Sequence, residues 1–405
     1  MADQPKVAEA GAASPARRVP LRELAVVFLQ LGTIAFGGPA AHIAMMDEQI
    51  VRRRKWLSRE RFLDLLGASH LIPGPNSSEL AIYIGFLCGG WAGLFIAGAC
   101  FILPAAFMVG ALAWAYIHFG KLAATAAILY GVKPVVIAVI LQALWGLGRR
   151  GAKTWFLAAV GLISLILAFW GLAPLLLLIA AGAVTALTML VQRAVKTRTK
   201  SLLAPLGGLF RLTGKTMAAT ATAGVAALST PVTLSSLFLV FLKVGAIVFG
   251  SGYVLLAFLR ADLVVHRGWL TDSQLVDAIA IGQVTPGPVF TTATFIGYLL
   301  GGVWGAVLAT IGIFLPAFGL VAASGPLIPR IRRSPIAGAF LDGLIVASLA
   351  LMAEVTWQLG RASIVDVVTA ALAVVSTTAL LRYRLNSSWL ILLGVVAGLI
   401  CFGLG

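Results

Sequence analysis

Residues 92–117 and 303–328 are two 26-residue stretches that contain no Asp, Glu, Lys or Arg. About 20 apolar residues suffice to carry a helix across the hydrocarbon core of a bilayer, so each stretch is a span in its own right. The whole chain agrees. Of 405 residues, 60% are hydrophobic and 11% charged, and the mean hydropathy is +1.02. A soluble domain carries roughly 25% charged residues. So few charges cannot cover a soluble surface, which excludes a soluble enzyme and a free nucleic-acid binder. The expectation is an all-α polytopic membrane protein, rich in glycine (44 residues) because helices in lipid pack closely through small residues.

The chain is also a tandem duplication. Phe36-Gly37 recurs as Phe249-Gly250, an offset of 213 (249 − 36) that also joins Gly32 to Gly245, Trp56-Leu57 to Trp269-Leu270 and Asp64 to Asp277. Pro73-Gly74-Pro75 maps onto Pro286-Gly287-Pro288 at the same offset. One residue is then lost, and an offset of 212 joins Ile84-Gly85 to Ile296-Gly297, Leu103-Pro104 to Leu315-Pro316 and Trp145 to Trp357. Such a map, with one gap in more than a hundred residues, places the copies at 24–191 and 237–405. Residues 1–23 read as a disordered cytoplasmic tail, without a signal peptide, and 192–236 as a basic linker.

Spans are expected at Ala92–Ile117, Ala123–Leu147, Thr154–Trp170 and Leu172–Val191. Their second-copy counterparts are Val303–Ile328, Pro335–Leu359, Ala362–Leu381 and Ser388–Leu404. Ahead of each set lie two interrupted segments. Leu24–Met46 is broken at Phe36-Gly37-Gly38-Pro39 and Leu237–Leu259 at Phe249-Gly250-Ser251-Gly252. Phe62–Cys88 and Leu275–Leu300 are each broken by Pro-Gly-Pro. Proline lacks the N–H and glycine tolerates any φ, so both motifs end helices. Whether the broken segments cross or re-enter stays open, although basic charge on both sides of Leu24–Met46 favours re-entry.

Charge sets the orientation. The net +16 sits outside the apolar stretches, as the positive-inside rule predicts. Clusters at 52–61 and 149–153 in the first copy have weak counterparts in the second, whose own clusters are Arg330, Arg332 and Arg333, then Arg382 and Arg384. The bias alternates loop by loop, so the two repeats are expected to have inverted topologies. Inversion needs an odd number of crossings between them, and Thr216–Ser229 is the candidate, leaving the N-terminus inside and the C-terminus outside.

The breaks carry the candidate chemistry. Interrupted helices in a membrane expose backbone donors, tolerable only in a protein-lined or wet cavity, and a half-helix N-terminus favours an anion. Substrate contacts are expected from Gly37, Gly38, Pro73, Gly74, Pro75, Asn76, Ser77 and Ser78 in the first copy. In the second they are Gly250, Ser251, Gly252, Pro286, Gly287, Pro288, Thr291 and Thr292. Lys243, deep in an apolar run, is a candidate counter-ion or a snorkelling side chain. Glu79 is a candidate for coupling to protons, or faces bulk water. His42 and His70 adjoin the breaks and read as polar packing. Lys133 and Glu354 are both mid-span and could pair with each other. Gly85, Gly89 and Gly93 read as helix-packing positions. Cys88, Cys100 and Cys401 show no metal-like spacing, and Gly214-Lys215-Thr216 lacks the glycine a P-loop needs at Leu209. No catalytic residue, metal site or cofactor is expected.

These residues resemble the chromate ion transporter (CHR) family. The likeness rests on Phe36-Gly37-Gly38-Pro39, Trp56-Leu57, Pro73-Gly74-Pro75, Ile84-Gly85 and Leu103-Pro104, with Thr285-Pro286-Gly287-Pro288 and Ile296-Gly297-Tyr298 in the second copy. It covers nearly the whole chain outside the tail and linker and fits the long, two-domain type. The second copy departs from the pattern at Ser251 and Gly252, so the two copies need not bind anion equally. The resemblance implies a bacterial inner-membrane protein that exports chromate and confers resistance, with sulfate as a competing analogue. The residues alone imply an inverted-repeat transporter for a small anion, with the lipid bilayer as its other partner. Two further classes stay open at this point: a passive anion channel, and a membrane-embedded enzyme or lipid scramblase built on re-entrant hairpins. Oligomeric state is not readable from the sequence.

Overall fold

The computed structural model describes residues 18–36, 38–69, 72–120, 123–151, 153–199, 231–248, 254–324, 334–383, 385 and 387–403. Residues 1–17 of the expected tail and the proposed crossing at Thr216–Ser229 fall outside these, but residues 18–23, read as disordered tail, are described: Val19 is buried and α1 begins at Leu21. Among the described residues the chain is helical without strands. The first copy runs α1 (Leu21–Ile34), α2 (Gly38–Met46, continued by a π-helical turn Asp47–Arg53), α3 (Arg59–Ser69), α4 (Asn76–Phe119), α5 (Ala123–Gly151), α6 (Trp155–Phe169) and α7 (Pro174–Thr199). The second runs α8 (Leu234–Ile247), α9 (Leu255–Leu259, then the π-helical turn Arg260–His266), α10 (Asp272–Val284), and α11 (Thr292–Ser324, preceded by the 3-10 turn Val289–Thr291). It ends with α12 (Pro335–Ser363), α13 (Val367–Arg382) and α14 (Ser387–Gly403).

Among the described residues, five helices are long and apolar enough to cross a membrane: those covering Asn76–Phe119, Thr125–Arg149, Pro174–Arg193, Val289–Ala323 and Pro335–Ser363. The surface they present is itself apolar. Phe107 in α4 and the tryptophans bracketing α6, Trp155 and Trp170, are largely exposed, as side chains facing lipid and its interface should be. The expected break positions hold. α1 stops at Ile34 and α3 at Ser69, while α8 stops at Ile247 and α10 at Val284. Some boundaries shift. α7 runs on to Thr199, into the stretch read as linker. Residues 362–366 belong to the end of α12 and a turn, because Asp366 caps α13 by accepting the Thr369 N–H at 2.8 Å.

The 44 residues of α4 do not form one rod. A straight helix of that length would extend about 66 Å at 1.5 Å per residue, twice the hydrocarbon thickness. Gly90 has φ +62° and ψ −150°, a combination open essentially only to glycine. There the chain doubles back, so that the backbone of Gly85 lies directly against that of Gly93. The packing glycines read from the sequence thus close a helical hairpin. α11 repeats the device, with Gly302 at φ +60° and Gly297 against Gly305. The first arm of α4, like α1 and α3, is shorter than the ~20 residues a crossing needs.

The copies interlock. α1 packs on α4 and α8 on α11, each within its own copy, Gly32 lying against the Phe101 carbonyl as Gly245 lies against that of Ile313. The later helices exchange partners. α5 packs on α13 and α14 of the second copy, and α12 on α6 and α7 of the first. Gly131 of α5 meets Gly394 and Gly398 of α14; its equivalent, Gly343 of α12, meets Ala181 and Thr185 of α7. α5 and α12 also meet each other, and do so antiparallel. Gly151 at the end of α5 touches Ile345 and Leu349 early in α12, and Gly360 near the end of α12 faces Ile137.

Gly85→Ala is expected to destabilise the protein by about 1–3 kcal/mol, because the new methyl meets the Gly93 carbonyl and Ala97. Gly148→Ala, in a helix with nothing within 4 Å of the added carbon, should be neutral or stabilising by up to about 1 kcal/mol. Thermal unfolding of the two variants in detergent checks the contrast.

Candidate functional site

Each Pro-Gly-Pro break is held by the other copy. The Gly74 N–H donates to the carbonyl of Val248, at the end of α8, at 2.7 Å. The Gly287 N–H donates to the carbonyl of Ala35, at the end of α1, at 3.0 Å. Ala35 and Val248 are equivalent residues (35 + 213 = 248), as are Gly74 and Gly287 (74 + 213 = 287), so the two bonds are one bond made twice. Both glycines have positive φ, +138° and +93°. A Cβ on Gly74 would strike the Glu79 carboxyl, and one on Gly287 would strike Ala105. Glycine is required at both positions for conformation and for room.

Within the first copy, His42 joins the two breaks. Its Nε2 lies 3.0 Å from the Ala35 carbonyl and its Nδ1 3.3 Å from Ser77 Oγ, with the ring set edge-on against Phe101. The single Ala35 carbonyl therefore receives both the imidazole and the Gly287 amide. His42 is 1% exposed, in keeping with polar packing, and its position ties Phe36-Gly37-Gly38-Pro39 to Pro73-Gly74-Pro75. Gly38 is buried with φ +75° where α2 begins.

The structure brings Pro73, Gly74, Pro75, Asn76, Ser77, Ser78 and Glu79 together with Gly287 and the end of α8, and Pro286, Pro288, Thr291 and Thr292 are buried as well. Pro75 sits just before α4, and its carbonyl accepts the Ser78 and Glu79 amides at 2.8 and 3.1 Å. Ser78 Oγ and both Glu79 carboxyl oxygens are buried with no hydrogen-bond partner among the described residues, and Glu79 is 0% exposed. Glu79 therefore faces the interior, not bulk water.

Other expected contributors differ. Thr291 and Thr292 donate their hydroxyls to the carbonyls of Pro288 and Val289, at 2.7 and 2.8 Å, and so satisfy their own turn. Lys243 lies on the exposed face of α8, and its ammonium is engaged by Asp262 at 2.9 Å. Its charge is already neutralised there and is not aimed at the breaks. Lys133 does not pair with Glu354: it bonds Asp277 at 2.9 Å, while Glu354 bonds Gln358 beside Arg260. Gly37, His70, Gly250, Ser251 and Gly252 lie outside the described residues. Sequence reasoning missed the Ala35 and Val248 carbonyls, whose side chains carry no polar signal, and the role of Asp277. The repeat map did contain a hint of the latter, in the Asp64–Asp277 match.

An all-helical polytopic membrane protein whose paired helix breaks converge from two repeats has the architecture of a secondary transporter. Comparison with known proteins gives the same class and narrows it. The family profile described as "Chromate transporter" matches residues 22–187 and again 235–399. A chromate transport protein of Cupriavidus metallidurans is 32% identical over 409 residues, 99% of this chain and 98% of that protein. A probable chromate transport protein of Synechococcus elongatus is 32% identical, covering 94% and 95%. A chromate transport protein of Pseudomonas aeruginosa is 34% identical, covering 82% and 80%. No solved structure matches the chain. The chain belongs to the chromate transporter family.

Gly74→Ala and Gly287→Ala are each expected to destabilise the protein by about 1–3 kcal/mol through backbone strain and to abolish transport. Ala105→Gly, which vacates the space a Cβ at 287 would fill, should partly restore the packing of Gly287→Ala but cannot help Gly74→Ala. Thermal midpoints of the four proteins check this.

Proposed function

We propose that this protein exports chromate, or a tetrahedral oxyanion of the same shape such as sulfate, across the bacterial inner membrane as a secondary transporter, and so confers chromate resistance. The observation that carries the reading is the reciprocal Gly74–Val248 and Gly287–Ala35 contact, which concentrates the breaks of both repeats at one place. The names of the relatives supply the substrate.

The anion is held at the N-terminal turn of α4 by Asn76, Ser77 and Ser78. Thr291 and Thr292 join once their hydroxyls turn from their own carbonyls. A tetrahedral dianion needs several donors, which these side chains provide. All of them are buried in this conformation, as in an occluded state awaiting opening on one side.

The antiparallel meeting of α5 and α12 supports opposite insertion of the two repeats. The basic clusters then share one side, the cytoplasm, with the N-terminus there, an extra crossing at residues 216–229 and the C-terminus in the periplasm. Leaving a negative-inside cell, each charge of the dianion gains about 2.3 kcal/mol per 100 mV, enough to drive export without ATP. Glu79 is the coupling group. An ionised carboxyl there would have no counter-charge among the described residues, so its charge is exchanged as the site opens and closes.

Everted membrane vesicles containing the protein are expected to accumulate chromate saturably, with excess sulfate suppressing uptake and collapse of the potential reducing it. Uptake no greater than in control vesicles, with inserted protein present, would remove the substrate assignment. Glu79→Gln should keep sulfate competition but lose the response of uptake to an imposed pH gradient; a response equal to that of the parent protein would remove Glu79 from coupling.

A further inference from the structure

A second polar cluster, part-buried around the buried Asp277, lies away from the breaks and joins the copies. Asp277, on α10 of the second copy, is 3% exposed. Lys133 of α5 in the first copy approaches its Oδ1 at 2.9 Å, and the Tyr116 hydroxyl, near the end of α4, donates to its Oδ2 at 3.0 Å. The Lys133 ammonium also donates to Ser273 Oγ at 2.9 Å. α10 leads eight residues after Asp277 to Thr285 and then the Pro286-Gly287-Pro288 break. The cluster thus ties the helix that carries one break to the α4–α5 corner of the opposite repeat.

The repeat map does not repeat this set of three residues. Asp64 is the equivalent of Asp277, but the positions matching Tyr116 and Lys133 are Ile328 and Ile345 (116 + 212 and 133 + 212). The symmetric location therefore cannot form the same cluster. At the opposite end of α5 an ion pair does cross between copies, Lys153 with Asp342 at 2.8 Å, but its side chains are 61% and 33% exposed. Exposed pairs contribute little, whereas separating a buried one leaves two uncompensated charges.

We propose that Tyr116, Lys133 and Asp277 form a latch that keeps the pathway closed on the side of the α4–α5 turn, opposite the Arg149-Arg150-Lys153 cluster, and that each transport cycle must open it. They are positioning residues, since they act on the α10 break and not on the anion. The inference rests on the transporter reading above, in which the α4–α5 side is the one to which substrate is released.

The test uses the full-length protein in sealed membrane vesicles of both orientations, with Cys88, Cys100 and Cys401 replaced by alanine and Thr285 by cysteine. A membrane-impermeant maleimide is added without chromate. Labelling from the α4–α5 side should be slow in the parent and faster by at least roughly tenfold in Lys133→Met and Asp277→Asn, the effect of about 1.4 kcal/mol in the opening equilibrium. Labelling from the opposite side should not rise. The exchange Lys133→Asp with Asp277→Lys should restore slow labelling. Tyr116→Phe removes one hydrogen bond without stranding a charge and should give a smaller rise, which keeps the test alive if the single charge variants do not fold. Unchanged labelling in folded variants, or an equal rise from both sides, overturns the latch. Because the readout needs no substrate, failure of chromate uptake and failure of the latch are scored separately.

Discussion

A helix interrupted inside a bilayer must find partners for its backbone, and here each interruption finds one in the other repeat. The Gly74 and Gly287 amides reach carbonyls that α8 and α1 leave open where they stop. Each carbonyl is open only because its own helix is broken. Neither repeat could satisfy this pattern alone, since an unpaired buried amide in hydrocarbon costs several kcal/mol. Placement of the breaks, the exchange of α5 and α12 between copies, and burial of Asn76 to Glu79 all follow from that mutual dependence.

Close approach makes the arrangement possible. Lipid gives helices little hydrophobic reason to associate, so contact quality decides. The contacts of Gly32 with Phe101, Gly245 with Ile313, Gly131 with Gly394 and Gly85 with Gly93 all bring backbone against backbone. The glycines at 90 and 302 serve differently, turning the chain through a conformation that a side chain resists.

Much of this was legible in the sequence because it is written in local terms. Duplication, spans and breaks follow from apolar run length and from Gly and Pro at repeated offsets. What stayed hidden depends on encounters between distant residues. Nothing near Lys133 indicates Asp277, 144 positions away (277 − 133), and nothing near Lys243 distinguishes a free cation from one held by Asp262. The small residues at 85 and 93 announced packing, but not that their partners lay eight residues along the same chain. The threonines after the second break looked like available donors because a sequence does not show which carbonyl a hydroxyl has already taken. The peptide carbonyls of Ala35 and Val248 give no sign at all, since every residue has one.

The exchange of helices between repeats also bears on how the chain is made. When α5 leaves the ribosome, its packing partners α13 and α14 are more than 200 residues from being synthesised. At about 5–20 residues per second, that interval lasts roughly 10–50 s. During it the first half sits in the membrane with the Gly131 face of α5 uncovered and its break lacking the Val248 carbonyl. The first repeat is therefore an intermediate that waits, exposed to the insertion machinery and to proteolysis, until the last helix arrives. Premature termination anywhere before α14 would leave both halves incomplete.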